Sequence, residues 1–484
     1  LKIAHRIAKN TTFIFVSGIL TRAINLVFIV YAARRLGPSD FGIYTLLMTI
    51  KFFFSFFLDF GIAPMAIREL SRNRGGRQEL FNHILTLRVT LSIIFLPIVF
   101  AIVNLLDYEE RIKILVYIIT AAFIFNAFSS SFRILYYSIE RMETPSIINV
   151  IVSILTASVN IAILYLGYGL TGLVLVTLCG RVVGAIISGI WVRMKILKYR
   201  PAFDTKLWID LLRQAFPFGL IGLLNRLNRH LTILLLSKIQ GPYPPDTAMG
   251  LYAPAQRVAT SFRPLIRSLK VASLPTIADK IDKRNIIKKI TEKITLFSLL
   301  TVSIPLLVSA LFFSRDLMTF LFGEDYIHSS AVFLILGIAN AIYSFNASLT
   351  STLSATRDIY RFVPWAISSA LITLILCIVL IPIMSFNGAA IAVLASNLFR
   401  SVSVHIVMKR IMGITVGFSV FKRPLAVLFF ISTVCIILNG LNLGFILRAI
   451  ITLSVYVIFL LIFFRDEFFV FKDAFLKRDT DTEL

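Results

Sequence analysis

The chain has 484 residues, 58% of them hydrophobic and only 15% charged, and its 49 Lys plus Arg outnumber its 25 Asp plus Glu. A soluble fold of this composition would lack polar surface cover, which places the chain in a bilayer. The basic surplus has no region of its own apart from the apolar runs, which argues against a nucleic-acid-binding domain and for basic loops that orient the chain.

Apolar runs long enough to cross roughly 30 Å of hydrocarbon recur along almost the whole length. The first follows Lys2, Arg6 and Lys9 and continues past Arg22 to about Tyr31 without a small-residue cleavage site, so it is expected to be a retained helix. Breaks at Gly, Pro and charge clusters place six spans near 11–33, 40–62, 81–106, 114–138, 146–167 and 169–192. After a basic connector from Arg193 to Arg213, six more fall near 214–238, 249–276, 294–313, 331–354, 362–384 and 387–411. A last pair near 424–440 and 444–464 precedes a charged tail. The expected fold is therefore all-α and polytopic, with about fourteen transmembrane helices.

With the N-terminus inside, the short loops alternate as the positive-inside rule requires: the cytoplasmic segments hold 30 Lys and Arg and the outer ones 7. Both termini are then expected to be cytoplasmic, in the plasma membrane. Cys179, Cys377 and Cys435 lie in apolar runs without paired spacing and read as packing residues, and the five histidines are scattered. No metal or other cofactor is expected.

The two groups of six spans carry a faint duplication. Arg22 precedes Gly37-Pro38 by fifteen residues, and Arg226 precedes Gly241-Pro242 by the same distance. Gly42-Ile43-Tyr44 corresponds to Gly250-Leu251-Tyr252, Ser138-x-x-Arg141 to Ser354-x-x-Arg357, and Gly172 to Gly388. An even number of spans separates the copies, so the repeat is parallel. The expected domains are an N-lobe at 1–204, a C-lobe at 205–413, and a C-terminal helix pair with its tail at 414–484.

Eight cations fall at mid-span: Arg22, Lys51, Arg181, Arg226, Arg229, Arg257, Arg263 and Arg400. Facing lipid they would cost on the order of 20–28 kcal/mol together. Snorkelling is expected to serve Arg88, Arg133 and Lys270, which lie nearer span ends. Asp59 and Glu140 sit near cytoplasmic ends, leaving too few acids to neutralise the mid-span cations. The remaining reading is a hydrated, positively charged central cavity between two lobes. Arg22 with Asn25, and Arg226 with Arg229, share helix faces at i, i+3 spacing. Arg263, Arg267 and Lys270 form a stripe on the eighth span beside Pro264, and Arg181 and Arg400 bring in the sixth and twelfth spans. Guanidinium groups bind phosphate oxygens in a bidentate fashion and stay charged, which favours a diphosphate or acidic-sugar ligand. The competing reading of each single residue is an arginine satisfied by carbonyls and water for packing alone.

The stretch Ala33-Arg34-Arg35-Leu36-Gly37-Pro38-Ser39-Asp40-Phe41-Gly42-Ile43-Tyr44, with Asp59-Phe60-Gly61 and Arg68-Glu69-Leu70, resembles the opening of polysaccharide flippases. These form the polysaccharide transporter branch of the multidrug/oligosaccharidyl-lipid/polysaccharide exporter superfamily. Gly250-Leu251-Tyr252-Ala253-Pro254-Ala255 is similar to its eighth-helix motif. The resemblance covers the first twelve spans. It implies two six-helix lobes around a cavity that opens alternately to either face, and outward transport of a polyprenyl-linked oligosaccharide. It also implies that Arg22, Lys51, Arg226, Arg229, Arg257 and Arg263 line that cavity, and that the chain is not an enzyme. The expected partners are the lipid-linked substrate, the bilayer and glycan-assembly proteins, with the chain itself a monomer. Alternatives are a lipid II type flippase or a cation-coupled drug exporter of the same superfamily. The exporter is disfavoured by the scarcity of intramembrane acids. A membrane glycosyltransferase or polymerase is disfavoured because the longest outer loop, near 314–330, is short.

Overall fold

A computed structural model describes residues 2–464 apart from 73, 74, 140, 197, 264, 267–276, 278–283, 355–361, 415, 418 and 442; side chains of a few further residues, 221–229 among them, lie outside the description. Among the described residues there is no strand. The helices are α1 (Lys2–Asp59), α2 (Ile62–Arg72), α3 (Arg77–Leu105), α4 (Glu110–Ser138), α5 (Glu143–Tyr165), α6 (Gly169–Lys195), α7 (Thr205–Leu236) and α8 (Pro245–Ala259). Then follow α9 (Arg284–Ser298), a π-helical turn at Leu299–Ser303, α10 (Ile304–Phe312), α11 (Ser314–Phe322), α12 (Ser329–Ser354), α13 (Val363–Met412), α14 (Ser419–Gly440) and α15 (Phe445–Phe463).

Among the described residues ten helical stretches are long and apolar enough to cross a bilayer. Two of them are too long to be one crossing, and both are broken where the sequence permits it. In α1, Gly37 takes φ 70, a conformation that costs glycine little, and Pro38 then opens the next helical segment with its φ already set. In α13 the break is at Ser385, φ 49, just after Pro382. Counting each broken helix twice gives twelve crossings. The spans expected near 214–238 and 249–276 fall on α7 and α8; α7 has 32 residues, and α8 ends at Ala259, ahead of the residues outside the description.

By packing the chain forms two compact units, Leu1–Lys238 with Pro244–Gly250, and Ile239–Tyr243 with Leu251–Leu484. This cut differs from the one the repeat suggests, because α7 belongs by repeat to the second half and by packing to the first. In both units large apolar side chains face outward: Phe429 is 76% exposed and Ile436 63%, which a lipid environment tolerates and water does not.

In the first unit, Ile62, Met65, Leu70, Phe81, Phe132 and Leu211 form an apolar core at one end of the bundle. Connectors gather there. The Arg77 Nε donates to the Leu70 carbonyl at 2.9 Å, Gln78 to that of Lys198 at 2.8 Å, and the Arg200 amide to Asn82 at 3.0 Å. At the opposite end Arg111 pairs with Asp40 at 2.9 Å and Lys238 sits 3.6 Å from the centre of the Tyr108 ring. Loops that the charge alternation assigns to one side are thus found together, as an error of one span would have prevented.

Two close crossings join α1 and its neighbours to α7 and α8 inside this unit. At one end a Cβ on Gly42 would lie 1.8 Å from the Asp246 carbonyl oxygen, and a Cβ on Gly250 would lie 1.7 Å from that of Pro38. The contact is reciprocal: Gly42 and Gly250 are equivalent in the repeat, and each meets the carbonyl of the residue four positions before the other. At the other end a Cβ on Gly61 would meet the Ala215 oxygen at 2.3 Å, and one on Gly219 the Phe60 ring at 2.6 Å. Gly172 and Gly388, also paired by the repeat, do the same work as each other in their hairpins. Their Cβ positions would strike Ile163 at 2.4 Å and Leu380 at 2.3 Å, nine and eight residues upstream.

In the second unit α12 runs along α9, the π turn and α10 through a buried hydroxyl seam. Thr291 bonds Thr352 at 2.9 Å, Ser298 donates to the Ser344 carbonyl at 3.1 Å and Ser303 to that of Ala341 at 3.0 Å. Each hydroxyl is satisfied, so the seam specifies one register without leaving a buried polar group unpaired. The last pair, α14 and α15, packs on α10 through Val427, Ile431, Cys435, Tyr456 and Leu460. It is tied by Arg448, whose guanidinium pairs with Asp316 at 2.8 Å.

Candidate functional site

The intramembrane cations divide by what surrounds them. Arg88 on α3 is held as part of the packed structure. It is 5% exposed, its Nη2 pairs with Asp59 at 2.8 Å, and its Nη1 donates to Ser131 at 3.0 Å. This corrects two expectations: Arg88 does not snorkel, and Asp59 does neutralise a cation inside the bundle. The cause is tertiary, since α1 and α4 bring Asp59 and Ser131 to the same point of α3. Removing one partner of such a pair strands the other charge, which costs about 3–5 kcal/mol when buried. Arg88→Met is expected to lose about 3 kcal/mol, the lower figure because Asp59 keeps 28% of its side-chain surface exposed. Arg88→Met with Asp59→Asn is expected to recover most of it; thermal unfolding of the purified protein checks both.

The second group has no ion pair among the described residues. Lys51 on α1 and Arg181 on α6 lie close enough for their charges to repel, and Arg181 stands in the same relation to Arg133 on α4. Lys51 and Arg181 are half-buried and Arg133 is exposed. Among the described residues the Lys51 ammonium has one polar contact, the Met48 sulfur at 3.9 Å. Like charges held together in apolar spans are a standing cost, which an anion placed among them would offset.

The third group lies in the second unit. The guanidinium carbon of Arg263 is 4.7 Å from the centre of the Tyr343 ring, and its Nε donates to Asn340 Oδ1 at 3.0 Å. Arg400 on α13 interacts electrostatically with the same Tyr343 and sits 5.6 Å from the centre of the Phe362 ring. Two arginines therefore converge on one phenol. Asn340 and Tyr343 are spaced i, i+3 on α12, and that shared face was the available sequence signal; being uncharged, both residues escape a search for intramembrane charge.

The other expected site residues are placed as follows. Arg22 and Asn25 share an exposed face of α1; Asn25 donates to the Thr21 carbonyl at 2.7 Å, and Arg22 has no ion pair or hydrogen bond among the described residues. Arg257 is half-buried on α8. Arg226 and Arg229 lie on α7 with their side chains outside the description, and Arg267 and Lys270 are outside the described residues altogether. Among the described residues no group of three metal-ligating side chains occurs. Cys377 and Cys435 are buried, whereas Cys179 is exposed on α6, so packing does not account for it.

Comparison with known proteins fits this architecture. The chain is 22% identical over 395 residues, 80% of its own length and 80% of the relative's, to a Haloferax volcanii protein named as the probable low-salt glycan biosynthesis flippase Agl15. It is 21% identical over 413 residues to the capsular polysaccharide biosynthesis protein CapF of Staphylococcus aureus, covering 83% of this chain and 99% of that one. Its fold is similar to that of the lipid II flippase MurJ in an inward closed conformation, with a TM-score of 0.74 at 15% identity over 94% of this chain and 99% of that one. An inward-facing multidrug resistance MATE family transporter of the MOP superfamily matches at a TM-score of 0.62 and 14% identity, over 81% and 94% of the two chains. The sequence profile of the polysaccharide biosynthesis protein family matches residues 7–281, more than half of the sequence, and the chain is accordingly a member of that family.

Proposed function

We infer that this protein is a flippase carrying a polyprenyl-diphosphate-linked oligosaccharide from the cytoplasmic to the outer leaflet of the plasma membrane, for assembly of a surface glycan. The observation that carries this reading is the group of Lys51, Arg181 and Arg133, intramembrane cations with no ion pair among the described residues, to which Arg263 and Arg400 add two more positive charges. Arg22, Asn25, Arg226, Arg229, Arg257 and Arg267 extend the same basic lining. The headgroup diphosphate sits among the guanidiniums while the polyprenyl tail stays in lipid, and alternating access exposes the headgroup to one face and then the other. Both termini face the cytoplasm, and no cofactor takes part. With the interior negative, an anionic headgroup is driven outward at roughly 2.3 kcal/mol per charge per 100 mV. The relatives' names, one a glycan flippase and one a capsular polysaccharide protein, support the substrate class.

The glycine crossings supply the gates in this mechanism. Gly42 with Gly250, at the end carrying Arg111 and Asp40, has to part for outward release. Gly61 with Gly219, at the end carrying Arg77 and Gln78, has to part for loading.

Deletion followed by lipid analysis tests the function. The expected result is accumulation of completed lipid-linked oligosaccharide on the cytoplasmic leaflet. Arrest of its synthesis or extension would reject a flippase in favour of an enzyme, and accumulation of lipid II instead would move the chain to the peptidoglycan branch.

A further inference from the structure

The connector between α6 and α7 follows a fixed path along α3. Gln78 donates to the Lys198 carbonyl at 2.8 Å, the Arg200 amide to Asn82 Oδ1 at 3.0 Å, and the Ala202 amide to Thr86 Oγ1 at 3.0 Å. The two registers match, because four helical residues rise about 6 Å and two extended residues advance about 6.6 Å. Alternate side chains of the connector then take opposite sides. Tyr199 turns inward: its ring centre is 5.2 Å from that of Phe132, and its hydroxyl is 3.0 Å from the point a Cβ on Gly189 of α6 would occupy. Lys198 and Arg200 take the other side and are exposed. Asp204 then starts α7, its carboxylate accepting from the Lys206 and Leu207 amides at 2.9 and 3.1 Å.

The first turns of α7 carry the same chemistry onward. Lys206, Ile209, Asp210 and Arg213 are exposed and fall within about 100° of one another at 100° per residue. With Arg193 near the end of α6, this stretch presents five exposed cations against two acids, and one of those acids, Asp204, is engaged as the helix cap. None of the five has an ion pair or side-chain hydrogen bond among the described residues. Large apolar side chains stand between them: Met194 and Phe203 are each 73% exposed, and Ile209 58%. Basic residues interleaved with exposed apolar ones suit the boundary between headgroups and acyl chains, where both kinds are satisfied, and not the surface of a water-facing loop. A connector needed only to orient the chain on insertion requires the charge but no fixed path.

We propose that residues 193–213 form a docking surface for anionic phospholipid headgroups, phosphate diesters with no amine to cancel their charge, in the cytoplasmic leaflet. Met194, Phe203 and Ile209 reach the acyl boundary, while Arg193, Lys198, Arg200, Lys206 and Arg213 hold the phosphates. The leaflet rests on the cytoplasmic placement of this connector in the flippase reading; the lipid preference does not rest on that reading.

The test reads the lipid next to the connector. Trp191, 47% exposed near the end of α6, is the reporter; Trp208→Phe and Trp365→Phe remove the other two tryptophans. The Trp208 Nε1 has no hydrogen-bond partner, so phenylalanine keeps the packing without stranding one. The full chain is reconstituted in equimolar phosphatidylglycerol and phosphatidylcholine, with acyl-chain bromine on one lipid or on the other, and no transported substrate is present. Stronger quenching by brominated phosphatidylglycerol is expected, corresponding to local enrichment of about fivefold or more, the effect of one basic residue at an anionic surface. Replacing Lys198, Arg200, Lys206 and Arg213 together by Gln should bring the two lipids to equal quenching with the melting temperature unchanged, since these exposed side chains have no protein partners to lose. In 1 M salt, where the screening length is about 3 Å, the wild-type preference should also disappear. Equal quenching by the two lipids in the wild type at low salt overturns the proposal and leaves the surface to a soluble acidic partner. A preference kept by the folded quadruple variant, or one indifferent to salt should that variant not fold, overturns it as well. Because no substrate is involved, a lipid preference seen here stands even if deletion of the chain leaves lipid-linked oligosaccharide unaccumulated and rejects the flippase reading.

Discussion

Gly42→Ala is expected to abolish stable, active protein, although it adds a single methyl group. The ideal Cβ would stand 1.8 Å from the Asp246 carbonyl oxygen and 2.8 Å from the Gly250 amide nitrogen. All of these are backbone atoms of a helix start, which cannot swing aside as a side-chain tip would. Overpacking ordinarily costs about 1–3 kcal/mol, and where only backbone can yield the upper figure is the floor. Gly250→Ala is expected to match it, because its Cβ would stand 1.7 Å from the Pro38 carbonyl oxygen across the same reciprocal contact. Gly18→Ala is the control: nothing lies within 4 Å of its Cβ and its backbone is helical, so about 1 kcal/mol of helix propensity should be gained. Thermal unfolding in detergent, with gel filtration to score monodispersity, distinguishes the three. Gly42→Ala melting like the wild type would mean that the crossing is looser than described.

How far the sequence reaches can be judged from particular residues. The break at Gly37-Pro38 was legible, because glycine and proline in that order end one helix and begin another by their own backbone preferences. The repeated Gly-x-Tyr motifs were legible as a repeat. That Gly42 and Gly250 touch each other was not, because the meeting is made by the whole packing of the first unit, with Pro244–Gly250 folded into it. The charge alternation assigns Arg111 and the loop before Asp40 to one side, and their ion pair is consistent with that grouping.

Charge read along a single line was the weaker guide. Arg88 was taken to snorkel because it lies near a span end, yet it is paired with a carboxylate 29 residues earlier. Lys51 and Arg181 read along the sequence as separate mid-span charges, and the structure brings them near enough to interact electrostatically. Asn340 and Tyr343 gave no signal, since an uncharged residue in an apolar span passes for packing until its neighbours are known. The tertiary fold sorts the cations, supplying a carboxylate to Arg88 while Lys51, Arg133 and Arg181 have no ion pair among the described residues.

That sorting is the account's central claim, and the second large effect follows from it. In the first unit Lys51 and Arg181 repel one another, so removing them should leave the fold as stable as before or more so, and in either unit removing two intramembrane cations should deprive the headgroup of binding charge. The most direct measurement is therefore made on two double variants, Lys51→Gln with Arg181→Gln and Arg263→Gln with Arg400→Gln, each produced in cells lacking the wild-type chain. Melting temperature and surface glycan are measured side by side. A melting temperature equal to or above the wild type for the first variant, with surface glycan reduced by about a hundredfold or more and lipid-linked oligosaccharide retained inside for both, is the predicted result; two lost charge-assisted contacts at about 1.5–3 kcal/mol each set that scale. Undiminished glycan export by either well-folded double variant would contradict it.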